Sequence, residues 1–122
     1  MSAERRKDIV RRSYRAFNEQ DRGEIERLLA PDFTFTSPLD DAIDRAAYFE
    51  RCWPNSEYIR EHVVERIFVE GDAAFVTYSA VTHEGLQFRN TEYMTFAGDQ
   101  IASVDVYFGA SYQDGAFKKQ GA

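Results

Sequence analysis

The chain has 122 residues, 43% of them hydrophobic and 30% charged, with a net charge of −6. That length supports one core, here a single domain over 1–122. The acidic balance, with no Lys/Arg block above it, argues against nucleic acid as a partner. A single cysteine, Cys52, excludes an internal disulfide and suits a reducing, cytoplasmic setting. No apolar segment follows the N-terminal basic residues as a signal peptide would need, and no apolar run nears the roughly 18 residues of a membrane span.

Ser2 caps a first helix with Glu4 in its first turn. Ile9, Val10, Ser13, Tyr14 and Phe17 share one face of it. The basic residues Arg5-Arg6-Lys7 and Arg11-Arg12 read as a solvated face. Asn18-Glu19-Gln20 breaks the helix. Asp21 caps a second, with Glu24 completing a capping box and Ile25, Leu28 and Leu29 as its apolar stripe. Ala30-Pro31 ends it. A strand follows over 32–37, with Phe33, Phe35 and Ser37 on one side, and Pro38 stops it. Residues 39–43 read as an acidic loop. Asp44 caps a third helix running to about Trp53, which Pro54 closes.

The rest reads as an antiparallel meander with strands over 57–69, 73–82, 86–96 and 101–108. Turns at Glu70-Gly71-Asp72, His83-Glu84-Gly85 and Ala97-Gly98-Asp99-Gln100 separate them. Residues 110–122 are an edge extension or a loose tail. Helices first and an antiparallel sheet second make an α+β domain.

One strand carries an anomaly. Phe88, Asn90, Glu92, Met94 and Phe96 share a face by period two. Large apolar residues at both ends turn that face to the core, which puts a carboxylate and an amide inside it. A buried carboxylate raises its pKa or finds a partner, and one that lines a cavity is a candidate site. Ten Phe, seven Tyr and one Trp exceed what a small core needs and fit an aromatic-lined cavity or an interface. Trp53, Phe17, Phe33, Phe35, Phe49 and Phe108 are candidate walls, and as a set they suit something flat and hydrophobic.

Three segments in order carry a family resemblance: Asn18-Glu19-Gln20-Asp21 between two helices, Asp32 to Pro38 after them, and Phe88 to Glu92 continuing to Val106-Tyr107-Phe108-Gly109. Together they resemble the nuclear transport factor 2-like superfamily in its SnoaL-like and ketosteroid-isomerase-like branch, over about residues 3–109. The resemblance implies a cone: three N-terminal helices packed in a strongly curved, mostly antiparallel sheet around an internal pocket. It also implies a homodimer, and it implies no single reaction.

Matched to the family, the sets beginning with Phe75, Phe88 and Ala102 face inward, which includes Thr77 and Phe108. Tyr78, Tyr93 and Tyr107, with Val76 and Ile101, then fall on the outer sheet face as a dimer surface. Glu92 stands at the interior acid that helps form an oxyanion hole in ketosteroid isomerases. Such an acid works by staying protonated. Against that stands a structural acid bonded to Asn90 or to an arginine. The isomerase's helical tyrosine matches Ser13, with Tyr14 one residue away, and its general base matches Ser37, which needs an activator. Asp40 and Asp41 lie just beyond and could reach the pocket mouth.

His62 is the remaining candidate base, since imidazole suits proton transfer near neutrality. Two parities compete for its strand. One places Arg60 and His62 inside; the other places Ile59, Val63, Ile67 and Val69 there. A bulge would reconcile them. Two histidines far apart in sequence make no metal site, and no phosphate loop or dinucleotide fingerprint is present.

Two functions follow. One is a cofactor-free isomerase, cyclase or lyase acting on a small hydrophobic, oxygenated molecule. Glu92 would polarise an oxygen there, and His62 or Asp40 would exchange a proton. Tyr14, Phe17, Phe35, Ser37, Trp53, Arg60, Thr77, Asn90 and Phe108 would bind the substrate. The other is a non-catalytic ligand-binding or dimerisation module.

Overall fold

A computed structural model describes residues 2–118. Helix α1 spans Ala3–Asn18, and the Ser2 side chain accepts a hydrogen bond from the Arg5 N–H. Ile9, Val10 and Tyr14 are buried on its apolar face. Arg6 departs from the solvated-face expectation. Its guanidinium is buried beside Phe96, donates to the Gly71 carbonyl and lies 2.8 Å from Asp72, so it ties α1 to a turn of the sheet.

Helix α2 spans Arg22–Leu28, with Asp21 accepting from the Glu24 N–H. Glu24 does not return the bond as a capping box would. Its carboxylate is drawn off by Arg12 at 2.6 Å and Arg27 at 3.0 Å. The helix stops before Ala30-Pro31, and strand β1 already begins at Leu29 and runs to Ser37. Pro31 is tolerated inside it because the pairing with its neighbour is irregular between Leu29 and Thr34, where a missing N–H disrupts nothing.

The acidic loop is in fact strand β2, Asp40–Asp44, folded back on β1 with Ser37 opposite Asp40. Asp44 caps helix α3, Arg45–Arg51, through the Ala47 N–H. This helix is shorter than expected, and Pro54 lies in a following 3-10 turn, Trp53–Glu57.

Strands β3 (Ile59–Glu70), β4 (Ala73–Thr82), β5 (Leu86–Ala97) and β6 (Gln100–Gln113) form the meander, and β7 (Ala116–Lys118) closes a last hairpin on β6. The sheet order is β2-β1-β6-β5-β4-β3. Only β1 and β6 pair in parallel. β6 runs past residue 108 because its second half gains β7 on the edge that its first half offers to β1. The tail is thus an edge extension as far as Lys118; residues 119–122 lie outside the described residues.

Extra residues bend this open, mixed sheet. Arg60 and Glu65 are unpaired insertions in β3, and β6 holds one extra residue at Ala102 and another near Gly109. Such bulges curve a strand and reset which side chains face inward. They reset the faces of β3 and β6; a third expectation, in β4, is overturned by plain alternation, since β4 pairs with β5 without a bulge and sets Val76 opposite Glu92. In β4, Ala74, Val76, Tyr78 and Ala80 are buried, whereas Phe75 is half exposed and Thr77 pairs with Thr91. In β6, Ile101 joins the core beside Val104 and Val106. In β3, the two bulges reconcile the parities: His62 is buried, Ile59, Val64, Ile67 and Val69 pack on the core, and Arg60 and Val63 face outward. Side chains of α1, α2, α3 and the concave face of the sheet make one core cluster.

Candidate functional site

A cavity of about 440 Å³ opens within that core, a size suited to a small molecule. Phe17, Ile25, Leu29, Phe33, Phe35, Met94, Val104 and Val106 give it apolar walls. The well-exposed lining residues Leu39, Tyr58 and Phe108 mark its mouth.

Glu92 lies in the wall. Alternation along β5 brings Asn90, Glu92 and Met94 to the same side, and β4 aligns Val76 opposite Glu92 and Tyr78 opposite Asn90. The Tyr14 hydroxyl donates to Glu92 Oε1 at 2.6 Å, and the Tyr78 hydroxyl lies near enough to favour the carboxyl's anion. Neither an arginine nor Asn90 is its partner. Asn90 instead donates through Nδ2 to the Tyr78 oxygen at 3.1 Å and accepts at Oδ1 from the Gly109 N–H. That acceptance orients the amide, so the Tyr78 oxygen takes a hydrogen from Asn90 and its own O–H is free to donate to Glu92.

Burial pushes the Glu92 carboxyl from its ordinary 4.5 up to about 7, against the Tyr14 and Tyr78 hydroxyls, which favour the anion. The same burial, with Glu92 close by, raises Tyr14, Tyr48 and Tyr78 well above the usual phenol range. The tyrosines are therefore hydrogen-bond donors at neutral pH, and the carboxyl is present in both its forms.

His62 sits on the same cavity, against Tyr14, Phe17 and Tyr78, with ring centroids 6.0, 4.9 and 5.2 Å away. Burial lowers its pKa from 6.5 to about 4. Asp40 lines the cavity beside Ser37, the position the resemblance matches to a general base; the β1–β2 hairpin puts their oxygens 3.5 Å apart. Arg51 lies 2.7 Å from Asp40 Oδ1. Cys52, also lining, is a protonated thiol, its pKa raised to about 11 by burial and then by Asp40.

Of the expected binding residues, Tyr14, Phe17, Phe35, Ser37, Asn90 and Phe108 line the cavity. Arg60 and Thr77 do not, because they lie on the outer face of the sheet. Trp53 and Phe49 form a second layer: Trp53 stacks edge-on behind Phe17 at 5.4 Å, and Phe49 lies under Arg22 and Arg45. Tyr14, not Ser13, turns to Glu92; the Ser13 hydroxyl donates back to the Val10 carbonyl. Tyr48 carried no expectation from its sequence context, and Tyr78, expected on the outer face, lines the cavity. The alanines at 74 and 80 are the clue for β4, because small residues on one parity leave room for helices to approach. Among the described residues no three His, Cys, Asp or Glu side chains group as a metal site would require, and no helix is long and apolar enough to cross a membrane.

The family model for a SnoaL-like domain matches residues 10–104. Several solved structures share the fold. A candidate ketosteroid isomerase from Kribbella flavida DSM 17836 is similar at 20% identity, over 97% of this chain and 84% of that one, with a TM-score of 0.75. An NTF2-like protein from Cytophaga hutchinsonii ATCC 33406 is similar at 21% identity, over 84% and 88%, with a TM-score of 0.69. A de novo designed protein with a curved β-sheet is similar at 15% identity, over 88% of each chain, with a TM-score of 0.78. At these identities the likeness is one of fold. No curated protein matches the chain.

Proposed function

The chain belongs to the SnoaL-like domain family of the nuclear transport factor 2-like superfamily, and from that premise we propose that it binds a small hydrophobic, oxygenated molecule and moves protons on it without a cofactor. The observation that carries this reading is the Glu92 carboxyl, bonded by the Tyr14 hydroxyl and flanked by Tyr78 in the wall of a largely apolar cavity. In its acid form Glu92 donates a hydrogen bond to a ligand carbonyl or ether oxygen, strengthening as charge develops there. Asp40 or His62 takes the proton released from carbon or hydroxyl. An isomerisation, cyclisation or elimination needs no more than this exchange.

The test is deuterium incorporation from heavy water into a panel of hydrophobic ketones and enones, followed by NMR. Glu92→Gln keeps the shape and removes the acid. It should leave the circular dichroism spectrum unchanged and slow exchange at least about 100-fold. Exchange that survives the substitution unaltered removes Glu92 from the chemistry. A second reading, a non-catalytic binding module, is favoured by the Arg51 contact on Asp40, which occupies the carboxylate best placed as a base. Under that reading ligands bind and no deuterium enters.

The same premise supports a homodimer through the outer sheet face. Phe68 and Phe75 pair there, 70% and 50% exposed, with Tyr93 stacked on Phe75 and Tyr107 54% exposed. Tyr78 drops out of that surface because it lines the cavity.

A further inference from the structure

His62 carries a hydrogen-bond pattern that the acid–base reading leaves unexplained. Asn18, the last residue of α1, meets the bulged start of β3 with both ends of its amide. Its Nδ2 donates to the His62 carbonyl at 3.0 Å, and its Oδ1 accepts the His62 backbone N–H at 2.8 Å. A backbone carbonyl can only accept and a backbone N–H can only donate, so the amide has one orientation. The same Oδ1 lies 3.0 Å from the ring Nδ1. Two acceptors cannot share that distance favourably, so Nδ1 carries the hydrogen. In a neutral ring the lone pair then sits on Nε2. The residue is only 9% exposed, and its ring packs against Tyr14, Phe17 and Tyr78, with no carboxylate paired to it among the described residues. It lines the cavity, and no protein group among the described residues hydrogen-bonds Nε2.

We propose that Asn18 is a positioning residue that locks His62 as the Nδ1–H tautomer, so that Nε2 faces the cavity as an acceptor and selects ligands bearing a donor hydroxyl, such as phenols or enols. This rests on the reading that the cavity binds an oxygenated hydrophobic molecule, and it adds the polarity of one end of that molecule. The carbonyl or ether oxygen belongs at Glu92, and the O–H belongs at His62. An apolar cavity discriminates weakly by shape but strongly where a buried polar atom would be left unpaired.

Two measurements test it. The first is the ring nitrogen spectrum of ¹⁵N-labelled, unliganded protein, which reads the tautomer whether or not any ligand binds. Wild type should show His62 protonated at Nδ1. Asn18→Ala should return it to the Nε2–H form that an unconstrained histidine side chain prefers, and Asn18→Asp, which keeps an acceptor oxygen at that place, should retain Nδ1–H. If Asn18→Ala does not fold, the wild-type and Asn18→Asp spectra decide. An Nε2–H ring in wild type, or a tautomer indifferent to Asn18→Ala, overturns the lock.

The second is binding of β-naphthol against its methyl ether, which keeps the flat apolar body and lacks the donor. The naphthol should bind about tenfold tighter. That preference should collapse in Asn18→Ala. A preference lost in Glu92→Gln and kept in Asn18→Ala assigns the hydroxyl to Glu92 and overturns the inference while sparing the cavity. Equal binding of both probes overturns the ligand class alone. Failure of both to bind removes the cavity reading, and the ligand class with it.

Discussion

Two titratable groups of the cavity wall, the partly buried Glu92 and the buried His62, pull stability in opposite directions as pH changes. The Glu92 carboxyl has a folded pKa of about 7 against an ordinary 4.5. The folded state holds that proton more tightly, so the stability it contributes is full below about pH 4.5 and is lost as pH rises through 7. His62 has a folded pKa of about 4 against 6.5. The folded state holds that proton less tightly, so its contribution is full above pH 6.5 and is lost as pH falls through 4. Each group alone gives a slope of up to about 1.4 kcal/mol per pH unit, and between pH 4.5 and 6.5 the slopes oppose. Chemical denaturation across pH 4–8 should expose the pair. Wild type minus Glu92→Gln should fall with rising pH over 4.5–7, and wild type minus His62→Gln should rise over 4–6.5. Flat difference curves would mean that neither group is buried as described.

At the scale of elements, the bulges of β3 and β6 build the site. An unbulged β3 could not turn both Ile59 and His62 inward, because side chains alternate strictly along a regular strand. The bulge near Gly109 does the same service for the acid network. Its N–H holds the Asn90 amide, which orients Tyr78 toward Glu92. A Cβ at position 109 would collide with the Arg89 carbonyl on the paired strand. Gly109→Ala should therefore cost about 1–3 kcal/mol of stability, read by urea denaturation. It should also shift the Glu92 titration, read by carboxyl ¹³C NMR, because the Tyr78 donor loses its support. Loss of stability with an unmoved Glu92 titration would confine Gly109 to packing. Helix and strand types were readable because caps and periodicity are local: Ser2, Asp21 and Asp44 all cap as their sequence contexts suggest. The capping box at Glu24 failed because two arginines, one distant in sequence, compete for the same carboxylate.

Across the whole molecule, the sheet separates two chemistries, an inner face that encloses the cavity and an outer face that keeps aromatic surface in water. Pairing of outer faces between two copies would cover Phe68, Phe75 and Tyr107. Analytical ultracentrifugation should then give a dimer for wild type, and Phe75→Glu should give a monomer with an unchanged circular dichroism spectrum. A wild-type monomer at tens of micromolar would remove the dimer. The residue sequence by itself determined the α+β order, the family, and the inward carboxylate at Glu92, since each rests on local period, local capping or a contiguous motif. It also brought His62 and Asp40 into consideration by residue type. Only the tertiary structure decided which residues meet. Registry across strands put Tyr78 inside and Thr77 outside through the unbroken pairing of β4 with β5, and a single-residue bulge turned Arg60 outward. The packing of α1 on the inner face of the sheet brought Tyr14 to Glu92 of β5 across 78 positions and Asn18 to His62 of β3 across 44. Such contacts are set by long-range packing, for which period two and period 3.6 carry no information.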